Sequence, residues 1–347
     1  MRPRHSPVRK LPEPLPASAP GTARAAAPAH DSASRHVSGS ALYIDDIPLL
    51  PGQLHVACGL SDRAHARIVA LDLSRVRRAP GVVDVVTAAD IPGDGDIAPV
   101  YDGDPLLAQG EVIYAGQALF AVAAETFEAA HRAVLLAKVD YEDLPAMLDP
   151  VEAHRQGHYV LPPYQFLSGD PEGAIDGAPV RVEGSVVMAG QEHFYLEGQA
   201  ASVVPTEDGI HVFSASQHPS EVQKLVARVL GVPIHAVQAE VRRMGGGFGG
   251  KESQAAMPAC IAALLAVRTG RPVRYRLARR DDMIQTGKRH PFHNHYLAGC
   301  ERDGRLRGVV MELIGDCGCS VDLSQGIIER AMFHADNAYR YPAARIT

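Results

Sequence analysis

The run Met244-Gly245-Gly246-Gly247-Phe248-Gly249-Gly250-Lys251-Glu252-Ser253 holds five glycines in six positions, encloses one aromatic side chain and leads into a Lys-Glu pair. Glycine costs about 0.5–1 kcal/mol against alanine inside a regular element. Such density calls for bare backbone, for positive φ or for close approach to a ligand. A flexible linker would mix Gly with Ser and polar residues, but this run sits between apolar elements. Upstream, Val237, Ala239 and Val241 alternate with Gln238, Glu240 and Arg242, the period of a half-buried strand. Downstream, Ala255 to Val267 is almost wholly apolar, which predicts a buried helix with Ser253 as N-cap and Gly270 just past its end. Pro258 moves the expected start toward Gln254 or Ala255. Strand, glycine loop and buried helix together aim several N–H groups at one point, a geometry suited to an anionic or strongly accepting ligand.

Two nucleotide motifs almost fit. Gly245-x-Gly247-x-x-Gly250 satisfies GxGxxG, but Thr269-Gly270-Arg271-Pro272 stands where a dinucleotide fold wants an acidic residue. Gly245 to Lys251 satisfies GxxxxGK, yet Glu252 replaces the Ser or Thr that would hold magnesium, and its carboxylate would repel a triphosphate. A glycine turn serving packing alone is the bland alternative.

Other candidates are weighed against this loop. Gln191-Glu192-His193-Phe194-Tyr195-Leu196-Glu197 follows Ala189-Gly190 with a polar and amphipathic mixture better suited to a cavity wall than to a core strand. His290, His293 and His295 lie within six residues, but distant acidic partners make hydrogen-bonding or surface roles the better reading than a metal site. Arg279-Arg280-Asp281-Asp282 reads as solvated charge pairs worth under about 1 kcal/mol each. No nucleophile has a base within sequence reach.

The elements that must position the loop follow from patterning. The 347 residues are 46% hydrophobic, enough for two or three globular domains. A net charge of -6 disfavours nucleic acid or anionic membrane as partner. Five scattered cysteines suggest reduced thiols, and the cytoplasm is the expected location. Residues 1–35 are Pro-, Ala-, Arg- and Ser-rich and are expected to form a disordered tail. Strands are expected at Leu54–Leu60, Ala66–Leu71, Val82–Thr87 and Glu111–Ala124, with a short helix from Ser74 and a longer one over Thr126–Val139 capped by Thr126. This mixture predicts an α+β domain over 36–147, and prolines and glycines predict an irregular linker over 148–175. A second domain, 176–347, is expected to hold strands at Arg181–Met188, Ala201–Val204, Ile210–Ser214, Val237–Arg242, Val273–Leu277, Asn294–Leu297 and Leu306–Ile314. Helices are expected from Pro219 to Gly231 and near Ser324–Phe333.

The Gln191–Glu197 and Met244–Ser253 runs together resemble the molybdopterin-binding subunit of the xanthine dehydrogenase and aldehyde oxidase superfamily. Gly287-Lys288-Arg289-His290-Pro291-Phe292, Glu329-Arg330-Ala331, Asp336-Asn337 and His36 to Pro48 extend the resemblance over about 30–347. It implies an α/β hammerhead domain followed by the first, incomplete part of a molybdenum-cofactor-binding domain. It also implies that the side chain of Gln191 and the backbone of Phe248 and Gly249 contact ligands of the molybdenum, and that Glu252 binds a purine ring. Aldehyde oxidases generally lack a carboxylate there, so the resemblance points to hydroxylation of hypoxanthine and xanthine to urate. The implied cofactors are molybdenum-molybdopterin here, and 2Fe-2S clusters, FAD and NAD on an iron–sulfur/FAD partner chain.

In the resembled family the chain continues through an FRGFGGPQ-type motif, further pterin-binding segments and a glutamate base, whereas this sequence ends at Thr347. No catalytic residue is therefore expected in this chain. The chain is expected to be either a truncated product or fragment, or one complemented by a second chain carrying those segments, and the isolated polypeptide is expected neither to retain cofactor nor to turn over xanthine. The alternatives are an aldehyde- or heteroaromatic-oxidising relative and a non-catalytic remnant or assembly module.

Overall fold

A computed structural model of the chain describes residues 30–347. Two units are distinguished, one ending at Ala41 and one spanning Leu42–Thr347. In the first, helix α1 (Ala33–Ser38) stops where Gly39 turns left-handed. The expected tail therefore includes the start of a helix, and its residues 1–29 lie outside the described part.

The second unit opens with strands β1 (Leu54–Leu60) and β2 (Ala66–Asp72), helix α2 (Ser74–Arg77), and strands β3 (Val82–Thr87), β4 (Glu111–Val112) and β5 (Ala118–Ala124). Helix α3 (Phe127–Val134) and strand β6 (Lys138–Asp143) follow. Thr126 caps α3 as expected, its hydroxyl accepting from the Ala129 N–H at 3.1 Å. The helix does not reach Val139. Val139 and Tyr141 alternate with Lys138, Asp140 and Glu142 in β6, and a residue such as Val139 satisfies both a 3.6 and a 2 period. Likewise 111–124 is two strands, broken where Gly116 adopts φ +103°.

The stretch 148–175 holds α4 (Pro150–Gln156), β7 (Phe166–Ser168) and most of α5 (Pro171–Asp176). Both helices start on Asp-Pro, with Asp149 and Asp170 accepting from N–H groups of the first turn. Proline at the first helical position is pre-organised rather than disruptive, so these prolines begin helices instead of marking loop. Then come β8 (Val180–Met188), β9 (Ala200–Thr206), β10 (Gly209–Ser214), α6 (Pro219–Leu230), β11 (Val237–Glu240) and α7 (Ala256–Thr269). The chain ends with β12 (Val273–Arg276), α8 (Arg279–Gln285), β13 (Phe292–Cys300), β14 (Leu306–Gly315), α9 (Ser324–Phe333) and β15 (Ala344–Ile346). Helix α8 and strand β15 carry no signal in the sequence reading.

Seven strands form one sheet in the order β11-β10-β9-β12-β1-β5-β3. The parallel pairing of β1 with β12 joins strands from the two ends of the chain. Helices α6 and α7 contribute Val222, Leu225, Val226, Ile261, Leu264 and Leu265 to its main core. Helix α7 is buried around almost its whole circumference, as its unbroken apolar sequence requires. Pro258 is its third residue, where no intrahelical N–H bond is lost, and Ser253 makes no side-chain cap. Strand β5 is buried at all seven positions because it serves two cores, Ala121 and Ala123 on one side and Phe120 and Val122 on the other. A five-stranded sheet, β7-β15-β14-β13-β8, and a three-stranded sheet, β4-β2-β6, complete the α+β architecture. Among the described residues no helix is long and apolar enough to cross a membrane.

Leu264→Ala should destabilise the chain by about 2–5 kcal/mol in urea unfolding, whereas Val187→Ala on the exposed face of β8 should stay within about 0.5 kcal/mol. Burial, as the first cause, lowers His55, His131, His193 and His290 from the ordinary value of 6.5. A group depressed in the folded state is protonated first in the unfolded chain, so its stabilisation is complete above pH 6.5 and is lost as pH falls below it. His65 is raised by its bonds to the Pro145 carbonyl and Glu111, and opposes this trend alone among the shifted histidines. The urea midpoint should accordingly drop between about pH 7 and about pH 5.5.

Candidate active site

The glycine loop leaves β11 at one end of the central sheet and enters α7 beneath it. Its backbone is pressed against the 193–197 run so closely that side chains would collide. A Cβ at Gly245 would lie 2.5 Å from the Glu197 Cβ, and one at Gly250 would lie 2.6 Å from the His193 ring. At Gly249 the demand is different: there is space, but φ is +93°. The loop then closes on itself, with the Gly250 N–H donating to the Gly247 carbonyl at 2.8 Å.

Three side chains hold this loop. Glu197 Oε2 accepts from the Gly245 N–H at 2.7 Å. Gln217 Oε1 accepts from the Gly249 N–H at 2.9 Å and the Lys251 N–H at 3.2 Å. Gln199 Nε2 donates to the Gly250 carbonyl at 2.8 Å. The N–H groups of Gly246, Gly247 and Phe248 donate to no acceptor among the described residues. Gly247 is nonetheless buried, and buried N–H groups without partners are rare. Phe248 itself has φ +56° and is 75% exposed, a strained conformation that leaves the ring in solvent.

Below the loop lies a polar foundation. Lys251 has no accessible surface, donates to the Glu197 carbonyl at 2.8 Å and sits 4.6 Å from the centroid of the Tyr195 ring. Burial pushes its ammonium group below the ordinary lysine range, against the opposing pull of Glu197. The Tyr195 hydroxyl donates to Asp282 Oδ1 at 2.6 Å, and Oδ2 of the same carboxylate accepts from the Gln199 N–H at 3.0 Å. Arg279 donates to the carbonyls of Tyr195 and Leu196 at 2.6 and 3.0 Å. Asp282 is only 1% exposed. The solvated charge pairs expected for Arg279–Asp282 are thus corrected: α8 turns Asp282 inward, where it is fully hydrogen-bonded.

The motifs distant in sequence meet here. Gln191 pairs with Arg289 through an isolated bridge, Glu192 Oε2 lies 3.0 Å from Lys288 Nζ, and the Gly287 N–H donates to Gln254 at 3.1 Å. The side chains of Gln191 and Glu252, however, are exposed and make no hydrogen bond or ion pair with described residues. The glutamine inside the loop is Gln217, which the sequence reading missed. Its only signal was its place between the end of β10 and the Pro219 start of α6. His290 and His295 make hydrogen bonds as expected, to Ser324 at 2.7 Å and Glu183 at 3.0 Å. A cavity of about 340 Å³ reaches Gln254, Thr286 and Lys288 beside the loop. It shares Tyr114, His290 and Ser324 with a larger, mainly apolar cavity of about 960 Å³ whose lining includes no residue of the loop.

Comparison with known proteins identifies the family of the chain. The aldehyde oxidase and xanthine dehydrogenase a/b hammerhead domain matches residues 38–145, and the molybdopterin cofactor-binding domain matches residues 152–347. Aldehyde oxidase 3 of Rattus norvegicus is 38% identical over 320 residues, covering 91% of this chain and 24% of that protein. Xanthine dehydrogenase of Drosophila pseudoobscura pseudoobscura is 41% identical over 322 residues, again 91% of this chain and 24% of that protein. Aldehyde oxidoreductase from Desulfovibrio gigas superimposes with a TM-score of 0.82 at 25% identity, covering 91% of this chain and 38% of that one. Quinoline 2-oxidoreductase from Pseudomonas putida 86 gives 0.79 at 25% identity, covering 90% and 42% respectively. The chain spans about a quarter of the length of these curated relatives. It belongs to the aldehyde oxidase and xanthine dehydrogenase family, with a hammerhead domain followed by a molybdopterin cofactor-binding domain.

Proposed function

We propose that this chain supplies the first part of the molybdenum-cofactor and substrate site of a xanthine dehydrogenase-type hydroxylase acting on purines. The observation that carries the reading is the run of three consecutive N–H groups, at Gly246, Gly247 and Phe248, that have no acceptor among the described residues, in a loop held in place by Glu197, Gln199 and Gln217. Such a row suits the oxygen and sulfur acceptors of an anionic cofactor. When bound, the molybdenum group supplies the two-electron oxidation and oxygen transfer that hydroxylating a ring carbon requires.

The residues of this chain bind and orient. The N–H groups of 246–248 anchor acceptors of the cofactor, and Gly249 keeps the backbone there open. Of the two glutamines, we assign the cofactor-facing amide to Gln217 rather than Gln191. Gln217 uses its carbonyl on the loop, and its amide nitrogen has no partner among the described residues. Glu252 presents an uncommitted carboxylate that can accept from ring N–H groups of a purine and steady charge on it during attack. An iron–sulfur/FAD subunit would take the electrons. The second reading is an aldehyde- or heteroaromatic-oxidising enzyme, favoured by the similarity to aldehyde oxidases at the same identity as to xanthine dehydrogenases.

In the assembled enzyme, Glu252→Val should lower kcat/KM for xanthine by about 10- to 100-fold, matching a charged hydrogen bond of about 1.5–3 kcal/mol. Oxidation of a simple aromatic aldehyde should be little affected. Equal losses on both substrates would reject the purine role. Gln217→Ala should reduce molybdenum retained through gel filtration, whereas Gln191→Ala should leave it near wild type. The reverse order would restore the assignment to Gln191.

A further inference from the structure

We propose that Glu197 and Lys251 form a buried charge clamp that closes the glycine loop and turns its free N–H groups toward the ligand, acting as positioning residues. The inference rests on the reading of the loop as a cofactor cradle. Nothing about packing requires a cation at 251. An unbranched apolar side chain would fill the same space, and burying an ammonium group costs several kcal/mol unless it is paired and hydrogen-bonded. Lys251 is completely buried and the Glu197 side chain is 10% exposed.

The contacts show what the charges hold. Glu197 Oε2 takes the Gly245 N–H at 2.7 Å and lies 3.5 Å from Lys251 Nζ, while the Glu197 carbonyl takes Nζ at 2.8 Å. One residue thereby ties the first glycine of the loop to the residue that ends it. The other carboxylate oxygen accepts from the Ile44 N–H at 3.2 Å, so the clamp is braced from a distant part of the chain. Gln217 fixes Lys251 from the opposite side, through its N–H at 3.2 Å and its carbonyl at 2.8 Å. The N–H groups of Gly245, Gly249, Gly250 and Lys251 are all committed, and those of Gly246, Gly247 and Phe248 between them have no acceptor among the described residues. Arg279 and Asp282 hold the 195–199 segment rigid underneath. Without the clamp the loop ends are free to separate, and the backbone between them is no longer held in one arrangement.

Phe248 provides the readout, because its exposed ring makes it a chymotrypsin site whose cleavage requires the loop to open. The full chain is compared as wild type, Lys251→Met, Glu197→Gln and the double variant. Val226→Ala, which weakens the core at α6, serves as a control for global destabilisation. Cleavage after Phe248 should rise on the order of tenfold in Lys251→Met beyond a control of matched melting temperature. The double variant should be no faster than Lys251→Met, because the clamp breaks once. Glu197→Gln keeps the shape and an acceptor oxygen, and it carries the test if Lys251→Met does not fold. Cleavage that merely tracks melting temperature across all variants overturns the clamp. Molybdenum retention is then measured in the assembled enzyme. A loosened loop with reduced retention supports the full proposal. A loosened loop with unchanged retention supports the clamp and overturns the cradle reading on which its purpose rests.

Discussion

Bare backbone pressed against the His193–Glu197 segment is the constraint on which the site depends. The predicted collisions at Gly245 and Gly250 leave no room for even a methyl group. Close approach brings carbonyls and N–H groups within reach of Glu197, Gln199 and Gln217, which satisfy the inward-facing set. The N–H groups of Gly246, Gly247 and Phe248 are left without an acceptor among the described residues. A flexible polar loop of the same length would hydrogen-bond to itself or to water and would present no fixed row of donors.

That approach is in turn held by the central sheet. Tyr195 to Gln199 lead directly into β9, and α7 lies under β9 and β12, so both sides of the contact are fixed to neighbouring strands. Because β12 also pairs with β1, the sheet carries the first-domain strands β1, β5 and β3 as a continuation of the same layer. Buried polar contacts cross the same junction: Gln53 donates to Ser202 at 3.1 Å, and Arg274 donates to the Ile47 carbonyl at 2.5 Å. The hammerhead segment is therefore part of the scaffold behind the loop and not a separate body.

The α+β class, most strands and the loop-to-helix unit were legible in the sequence because each is written locally, by period, caps and glycines. What was not legible depends on partners far along the chain. Asp282 read as a solvated charge because sequence shows charge but not burial, and nothing local marked Lys251 as buried; the structure places both against Tyr195. Gln217 had no local mark at all, since its role exists only once α6 brings it beside residues 249–251. The Asp-Pro starts of α4 and α5 were written locally but were read as breaks, which is an error of weighting between two meanings of proline. Strand β15 is three residues long and exists through its pairing with β14 and β7.

The same division explains why overall similarity does not separate purine from aldehyde chemistry. Rat aldehyde oxidase 3 and the mouse xanthine dehydrogenase/oxidase are each 38% identical to this chain over 320 residues. On the proposed reading, a cradle made of backbone N–H groups is indifferent to the substrate, so the glycine loop does not by itself distinguish the two activities. On the same reading, discrimination falls to side chains at the rim, where an added carboxylate changes the hydrogen bonds offered without disturbing the loop. Glu252 stands at such a place, exposed and unpaired, one residue beyond the lysine that is buried. Two adjacent charged residues thus face opposite environments: Lys251 turns inward against the backbone it holds, and Glu252 turns outward where a side chain can change without disturbing the loop.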